Sequence, residues 1–196
     1  MLEIARVLKP RVIRLIAPQL ERRAEIADGI VYAQAAFPWL MPMFREAVDR
    51  IGEAGFQVTI ENECGGCILA SPGEVIDFFA ALDRPGKAHF TWDVQNFWEA
   101  GVFPTIEVYD QLKPLIGYYH VKGGQHDGTN LRVRWRTALE DASWPVLEIT
   151  RQVVADGVSP VICINPPHGQ QKAGCHSADF TRRDIDFLRR EIEGID

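Results

Sequence analysis

Short apolar, β-branched runs, each followed by a stretch with helical spacing, recur along the whole of this 196-residue chain. The runs are Val12 to Ala17, Val58 to Ile60, His89 to Val94, Ile116 to Val121 and Ser159 to Ile164. Leu131 to Leu139 alternates and reads as a further strand, although its arginines fit poorly in a strand covered on both faces. Strand then helix, about six times over in units of roughly 25 to 35 residues, points to parallel βα construction. Runs that are apolar rather than cleanly alternating are what a sheet covered on both faces needs.

The helices between them have local signals. Leu2 to Leu8 is the tail of a helix stopped by Pro10, and Arg22, Arg23 and Glu25 mark a polar helix-like stretch. Phe37 to Ala54 carries Met43, Phe44, Ala47, Val48 and Ile51 at helical spacing and ends at Gly55. Ser71-Pro72-Gly73-Glu74 combines an N-cap serine, a first-turn proline and a capping-box glutamate, and it starts the helix Val75 to Leu82. A helix through Val108 and Leu112 follows the third strand. Pro145 to Val154, with Glu148 on its outer face, and Asp179 to Ile192 complete the set.

Two α/β layouts accommodate this order, an open doubly wound sheet and a barrel. The turn after the first strand is Ala17-Pro18-Gln19, and neither GxGxxG nor GxxxxGK occurs, so nucleotide binding through those motifs has no support. A complete barrel takes eight strands and typically ~250 residues, more than this chain provides. Its 46% hydrophobic content suits one core, and we expect residues 1–196 to form a single barrel-type domain.

A net charge of −6 argues against a nucleic-acid partner, and basic pairs such as Arg22-Arg23 and Arg189-Arg190 read as solvated helix faces. No apolar run reaches the ~18 residues of a membrane span, and Glu3, Arg6 and Lys9 interrupt any signal-peptide core. The expectation is a soluble, cytoplasmic protein with no membrane partner. Cys64-Gly-Gly-Cys67 follows a strand and reads as reduced cysteines in a glycine-rich loop. Redox pairing, or a zinc site with Cys175 and His176, are the alternatives. Cys163 should be core, and Trp39, Trp92, Trp98 and Trp144 should be core or pocket wall.

The chemistry gathers at the strand ends. Glu61, Asp93, His120 and Asn165, with His168 just beyond, sit where parallel strands place a site at one mouth. Two carboxylates and an imidazole suit one divalent ion of the manganese, zinc or iron class, with an open position for substrate. Such an ion polarises a carbonyl while a carboxylate moves a proton on the adjacent carbon. The structural alternatives are that Glu61 bonds loop amides, Asp93 caps the next helix and His120 is a satisfied core histidine.

Side chains alternate, so Glu63 shares the face of Glu61 and is a substrate-contacting acid, while Asn62 points away. Asn96 lies one turn beyond Asp93. Lys122, on the face of His120, pairs with an oxyanion, a phosphate or Glu63. His126 and Asp127, in a glycine-rich loop, are candidates for added ligands or a lid.

Ile60-Glu61-Asn62-Glu63, Trp92-Asp93-Val94-Gln95-Asn96, Tyr119-His120-Val121-Lys122 and Asp184 to Arg190, in that order, resemble the xylose-isomerase-like TIM barrels. These include sugar isomerases and epimerases, inosose dehydratases and metal-dependent apurinic endonucleases. The resemblance covers nearly the whole chain and rests on several short motifs. It implies an incomplete barrel of about six of eight βα units, lacking the first two: either the start is truncated, or another copy of the chain covers the exposed edges, or the barrel is a remnant that lost activity. It implies a metal held by Glu61, Asp93 and His120, with a fourth ligand from the last strand. Glu61 matches the first catalytic glutamate, but Asn165 stands where the last one belongs and Asn96 where a histidine is common. An amide cannot take up a proton. Epimerisation therefore needs another base, and His168 is the candidate, both as base and as ligand.

The function expected is a metal-dependent isomerase, epimerase or related lyase acting on a sugar or polyol-type hydroxy-ketone. Glu61, His168 and Lys122 would be catalytic, and Glu63, Asn96, Asn165 and Lys122 would contact substrate. The alternative is a degenerate, non-catalytic barrel that binds a small carbohydrate or serves in assembly. Phosphodiester hydrolysis would need more metals and a basic groove.

Overall fold

The computed structural model describes residues 2–63, 65–173 and 176–192, so Cys64 and Cys175 of the expected cysteine readings lie outside it. Five parallel strands form one open sheet in the order β1 (Val12–Ile16), β2 (Gln57–Glu61), β3 (Ala88–Asp93), β4 (Ile116–Val121) and β5 (Ile162–Ile164). Each strand pairs with its neighbour in sequence, as in the wall of a barrel. Among the described residues β1 and β5 carry the open edges.

Among the described residues the α-helices are α1 (Leu2–Leu8), α2 (Gly29–Ala36), α3 (Leu40–Glu53), α4 (Pro72–Leu82), α5 (Val94–Ala100), α6 (Ile106–Leu112), α7 (Val146–Asp156) and α8 (Ser177–Ile192). Ser71 Oγ accepts from Glu74 N at 3.3 Å, as the capping box requires, and the Glu74 carboxylate turns back to Ala70 N at 3.0 Å. None of these helices is long and apolar enough to cross a membrane.

The two faces of the sheet differ sharply. Val58, Ile60, Phe90, Trp92, Tyr119 and Val121 are buried on the helix-covered face, where Trp92 packs against Tyr109 and Tyr119. The opposite face carries Arg14, Thr59, Glu61, Thr91, Asp93, Tyr118 and His120. The strands therefore alternate more than expected, with a polar trough on the inner side.

Gly117 creates a break in the strand register. Phe90 pairs with Ile116, but Thr91 pairs with Tyr118, so β4 carries one extra residue there. A Cβ at Gly117 would lie 2.4 Å from His89 Cβ, so only glycine allows this close approach. Beyond the bulge His120 stands opposite Asp93.

Some sequence expectations are corrected. Leu131 to Leu139 is not a strand, which leaves five strands rather than about six. It is an irregular segment held by single bridges from Trp135 to Gln125 and Gln170. Arg134 and Lys172 lie over the Trp135 ring at 5.3 and 5.8 Å, outside any sheet. Phe37 to Ala54 shortens to α3, with α2 as a separate helix before it, and the helix after β3 divides into α5 and α6. Trp39 is 58% exposed at the start of α3, stacked edge-on with Phe37. Cys163 is half-buried, because β5 has a neighbour on one side only.

Candidate metal centre

Glu61 and Asp93 close β2 and β3, and His120 is the penultimate residue of β4. Parallel strands with inward-facing ends bring the three together. One ligand atom from each lies within 4.8 Å of the others, and all three residues are buried. His120 Nδ1 is 2.8 Å from Glu61 Oε1 and 3.5 Å from Asp93 Oδ2. Burial opposes a charge on His120, but the Asp93 and Glu61 carboxylates outweigh it and hold the imidazole up at about 10. Burial also works against the Asp93 carboxylate, and His120 and Lys122 outweigh it, so Asp93 ionises below the usual range.

Neighbouring side chains lock these groups in place. Asp93 Oδ1 accepts from Gln95 N and Asn96 N, both at 3.1 Å, and so caps α5. Its Oδ2 points the other way, toward Lys122 Nζ at 2.8 Å. Asn62, facing away from Glu61, donates to Asp93 O and accepts from Asp93 N, each at 2.9 Å. This amide clamp ties the end of β2 to the end of β3.

Two buried oxygens, Glu61 Oε2 and Asp93 Oδ2, accept no hydrogen bond. Each is faced by a cation at ion-pair distance, Arg14 at 2.6 Å and Lys122 at 2.8 Å, without the alignment a hydrogen bond requires. Buried carboxylate oxygens without a donor are costly unless a cation engages them. The donor set, two carboxylates and one imidazole, is that of a divalent transition ion. The residues therefore fit a metal ion.

The remaining candidates form an adjoining cluster. Lys122 Nζ donates to Asn96 Oδ1 at 3.0 Å and lies 2.9 Å from His168 Nε2. With Lys122 as donor, His168 carries its proton on Nδ1. Burial, then the charge of Lys122, lowers the pKa of His168. Asn96 also donates to Asn62 O at 2.7 Å and to Glu63 Oε1 at 3.3 Å. Lys122 thus goes to Asp93, whereas Glu63 takes the Asn96 amide. His168 sits on Lys122 and Asn96 and is not among the three grouped ligands. Asn165 lies beside the ligands, its amide 2.9 Å from His120 Nδ1.

Other candidates lie apart from the centre. His126 packs against Trp98 and Phe103, and Asp127 accepts from Thr129 and pairs with Arg134. Burial pushes the Cys67 thiol up to about 11, so it is no thiolate at neutral pH.

Sequence reasoning missed Gln95 and Arg14. Gln95 is buried, donates to Gly123 O at 2.8 Å and accepts from His168 N at 2.5 Å, which fixes the loop carrying His168. Nothing local marks it. Arg14 did leave a signal: a charge between Ile13 and Leu15 in a parallel strand demands an acid on the same face.

A cavity of about 1470 Å³ opens beside this cluster, with Glu63, Cys67, Glu99, Arg132, Arg134 and His168 in its wall.

No protein-family model matches the chain, and no curated protein does. Solved structures do match. The probable 3-DHS dehydratase AsbF from Bacillus anthracis aligns over 95% of this chain at 16% identity and a TM-score of 0.70. A xylose isomerase-like TIM barrel protein from Mycobacterium smegmatis, solved with magnesium, aligns over 96% at 13% identity and 0.69. A xylose isomerase domain protein from Planctomyces limnophilus aligns over 96% at 13% and 0.66. The chain spans 66, 63 and 60% of these proteins, respectively. It has the fold of the xylose-isomerase-like TIM barrels, as an open part of the barrel.

Proposed function

We propose that this chain is a divalent-metal-dependent isomerase, epimerase or related lyase acting on a sugar or polyol-type hydroxy-ketone. The observation that carries this reading is the clustering of buried Glu61, Asp93 and His120, one ligand atom of each lying within 4.8 Å of the others. Those three residues would hold an ion of the manganese, zinc or iron class, which would polarise the substrate carbonyl.

Each protein group has a part that follows from its surroundings. Glu61 is the base at the carbon beside the carbonyl, its carboxylate held by His120 through Oε1. Lys122, held 2.8 Å from Asp93 Oδ2, donates to oxygen that gains negative charge. His168 lies on the far side of Lys122 from Glu61, and it can serve as the second base only once its Nε2 gives up the hydrogen bond from Lys122. Asn96 and Glu63 bind substrate hydroxyls, as does Asn165, and the polar cavity suits a hydroxylated molecule. We place the protein in the cytoplasm, and its open edges suit association with a second copy.

The test is elemental analysis after supplementation with manganese, zinc and iron, run beside Glu61→Gln and His120→Ala. About one ion per chain is expected in the parent and little in either variant. Hydroxy-ketones incubated in D2O should then exchange the proton next to the carbonyl. A parent that takes up no metal sinks the catalytic reading. Metal without exchange leaves the alternative, a carbohydrate-binding or assembly barrel.

A further inference from the structure

Resting on the metal-site reading above, we infer that Arg14 is a built-in competitor for the metal position, a guanidinium paired with the Glu61 carboxylate that an ion would use. Arg14 comes from the edge strand β1, level with Thr59 in β2, and its Nη1 lies 2.6 Å from Glu61 Oε2. The other oxygen, Oε1, faces His120 at 2.8 Å, so Arg14 neutralises the same carboxylate an ion would use.

Lys122, the other cation at the cluster, differs in a way that matters. Its ammonium has Asn96 and His168 as further partners and is buried, so it is fixed. The Arg14 side chain is 43% exposed, and among the described residues its ion pair is with Glu61. It also borders a cavity of about 310 Å³ in the trough, walled by Thr59, Tyr118, His120, Cys163 and Asn165. The guanidinium can rotate into that space without disturbing the core.

Guanidinium and ion compete for the charge of one carboxylate, so the affinity for metal is reduced by the part of the Arg14 pair that metal binding breaks. A half-exposed partner makes that pair modest, on the order of a tenfold effect. Binding of metal would release Arg14 toward the trough, where it becomes a donor for an anionic group entering beside the ion.

Manganese titration followed by calorimetry tests this on the whole chain, with circular dichroism confirming the fold of each variant. Arg14→Met should bind about tenfold tighter than the parent, and Arg14→Lys, which keeps the charge, should stay near the parent. Equal or weaker binding by Arg14→Met, with binding still abolished in Glu61→Gln, overturns the inference and leaves the metal site standing. No binding by parent or variant overturns both. Should Arg14→Met not fold, the guanidinium resonance of Arg14 in the parent decides. It should shift on saturation with zinc, and an unmoved resonance at full zinc occupancy refutes the competition.

Discussion

Gly117 determines that His120, and not Tyr119, stands opposite Asp93. The extra residue in β4 shifts the pairing by one position, and a shift of one swaps the two faces of a strand. Without it, an apolar-face tyrosine would point at the carboxylates. Gly117→Ala places a Cβ 2.4 Å from His89 Cβ. We expect it to lower the unfolding free energy by about 1–3 kcal/mol in urea titrations. Wild-type stability in this variant would show that the bulge does not depend on glycine.

Asn62 should be worth more than its position beside two glutamates suggests. Asn62→Ala strips one acceptor and one donor from the buried backbone of Asp93. The expected loss is about 2–4 kcal/mol by denaturant unfolding. A loss within error of zero would mean that water replaces the clamp.

Asp93→Asn separates capping from coordination. An asparagine still accepts from the amides of Gln95 and Asn96, since it is as good an N-cap as aspartate. The cap survives, but the melting temperature should fall because buried Lys122 and His120 lose their counter-charge, and metal affinity should fall by about a hundredfold or more, given that outer partners alone cost about 10–100-fold. Retained affinity would remove Asp93 from the ligand set.

Asp184 governs a pH response far from the metal centre. It is buried, and burial pushes its carboxyl up to about 6, although Leu139 N donates to it at 2.6 Å. A raised carboxylate means the folded state holds its proton longer than the unfolded one. This contribution is therefore present at pH 4 and lost as pH rises through about 6. Asp184→Asn escapes the loss and should gain on the order of 1–3 kcal/mol over the parent at pH 8, with little difference at pH 4. Melting curves at both pH values test this, and an advantage independent of pH refutes it.

The parts of this fold legible in sequence are those specified by neighbours along the chain. Ser71 and Glu74 declare α4 because a capping box closes within one turn. Ile116–Val121 is a strand as read, and Glu61, Asp93 and His120 converge because parallel strands end together. What escaped depends on distant partners. The amide of Gln95 meets Gly123 and His168, and Asp184 meets Leu139, across loops no local pattern encodes. Trp39 shows the opposite failure: an aromatic expected in the core or a pocket wall is 58% exposed and meets Phe37 edge-on.

The ladder joining β5 to β4 is three residue pairs long, Tyr119 with Ile162 to Val121 with Ile164, and nothing among the described residues pairs with its other side. A ladder this short opens without the rest of the sheet. The strand end bearing Asn165 is therefore expected to open on its own clock, as far as His168, which Gln95 and Lys122 hold. Amide exchange there should run ahead of β2 and β3, so the side of the site where this chain differs from the family pattern is also the side that yields first to a ligand.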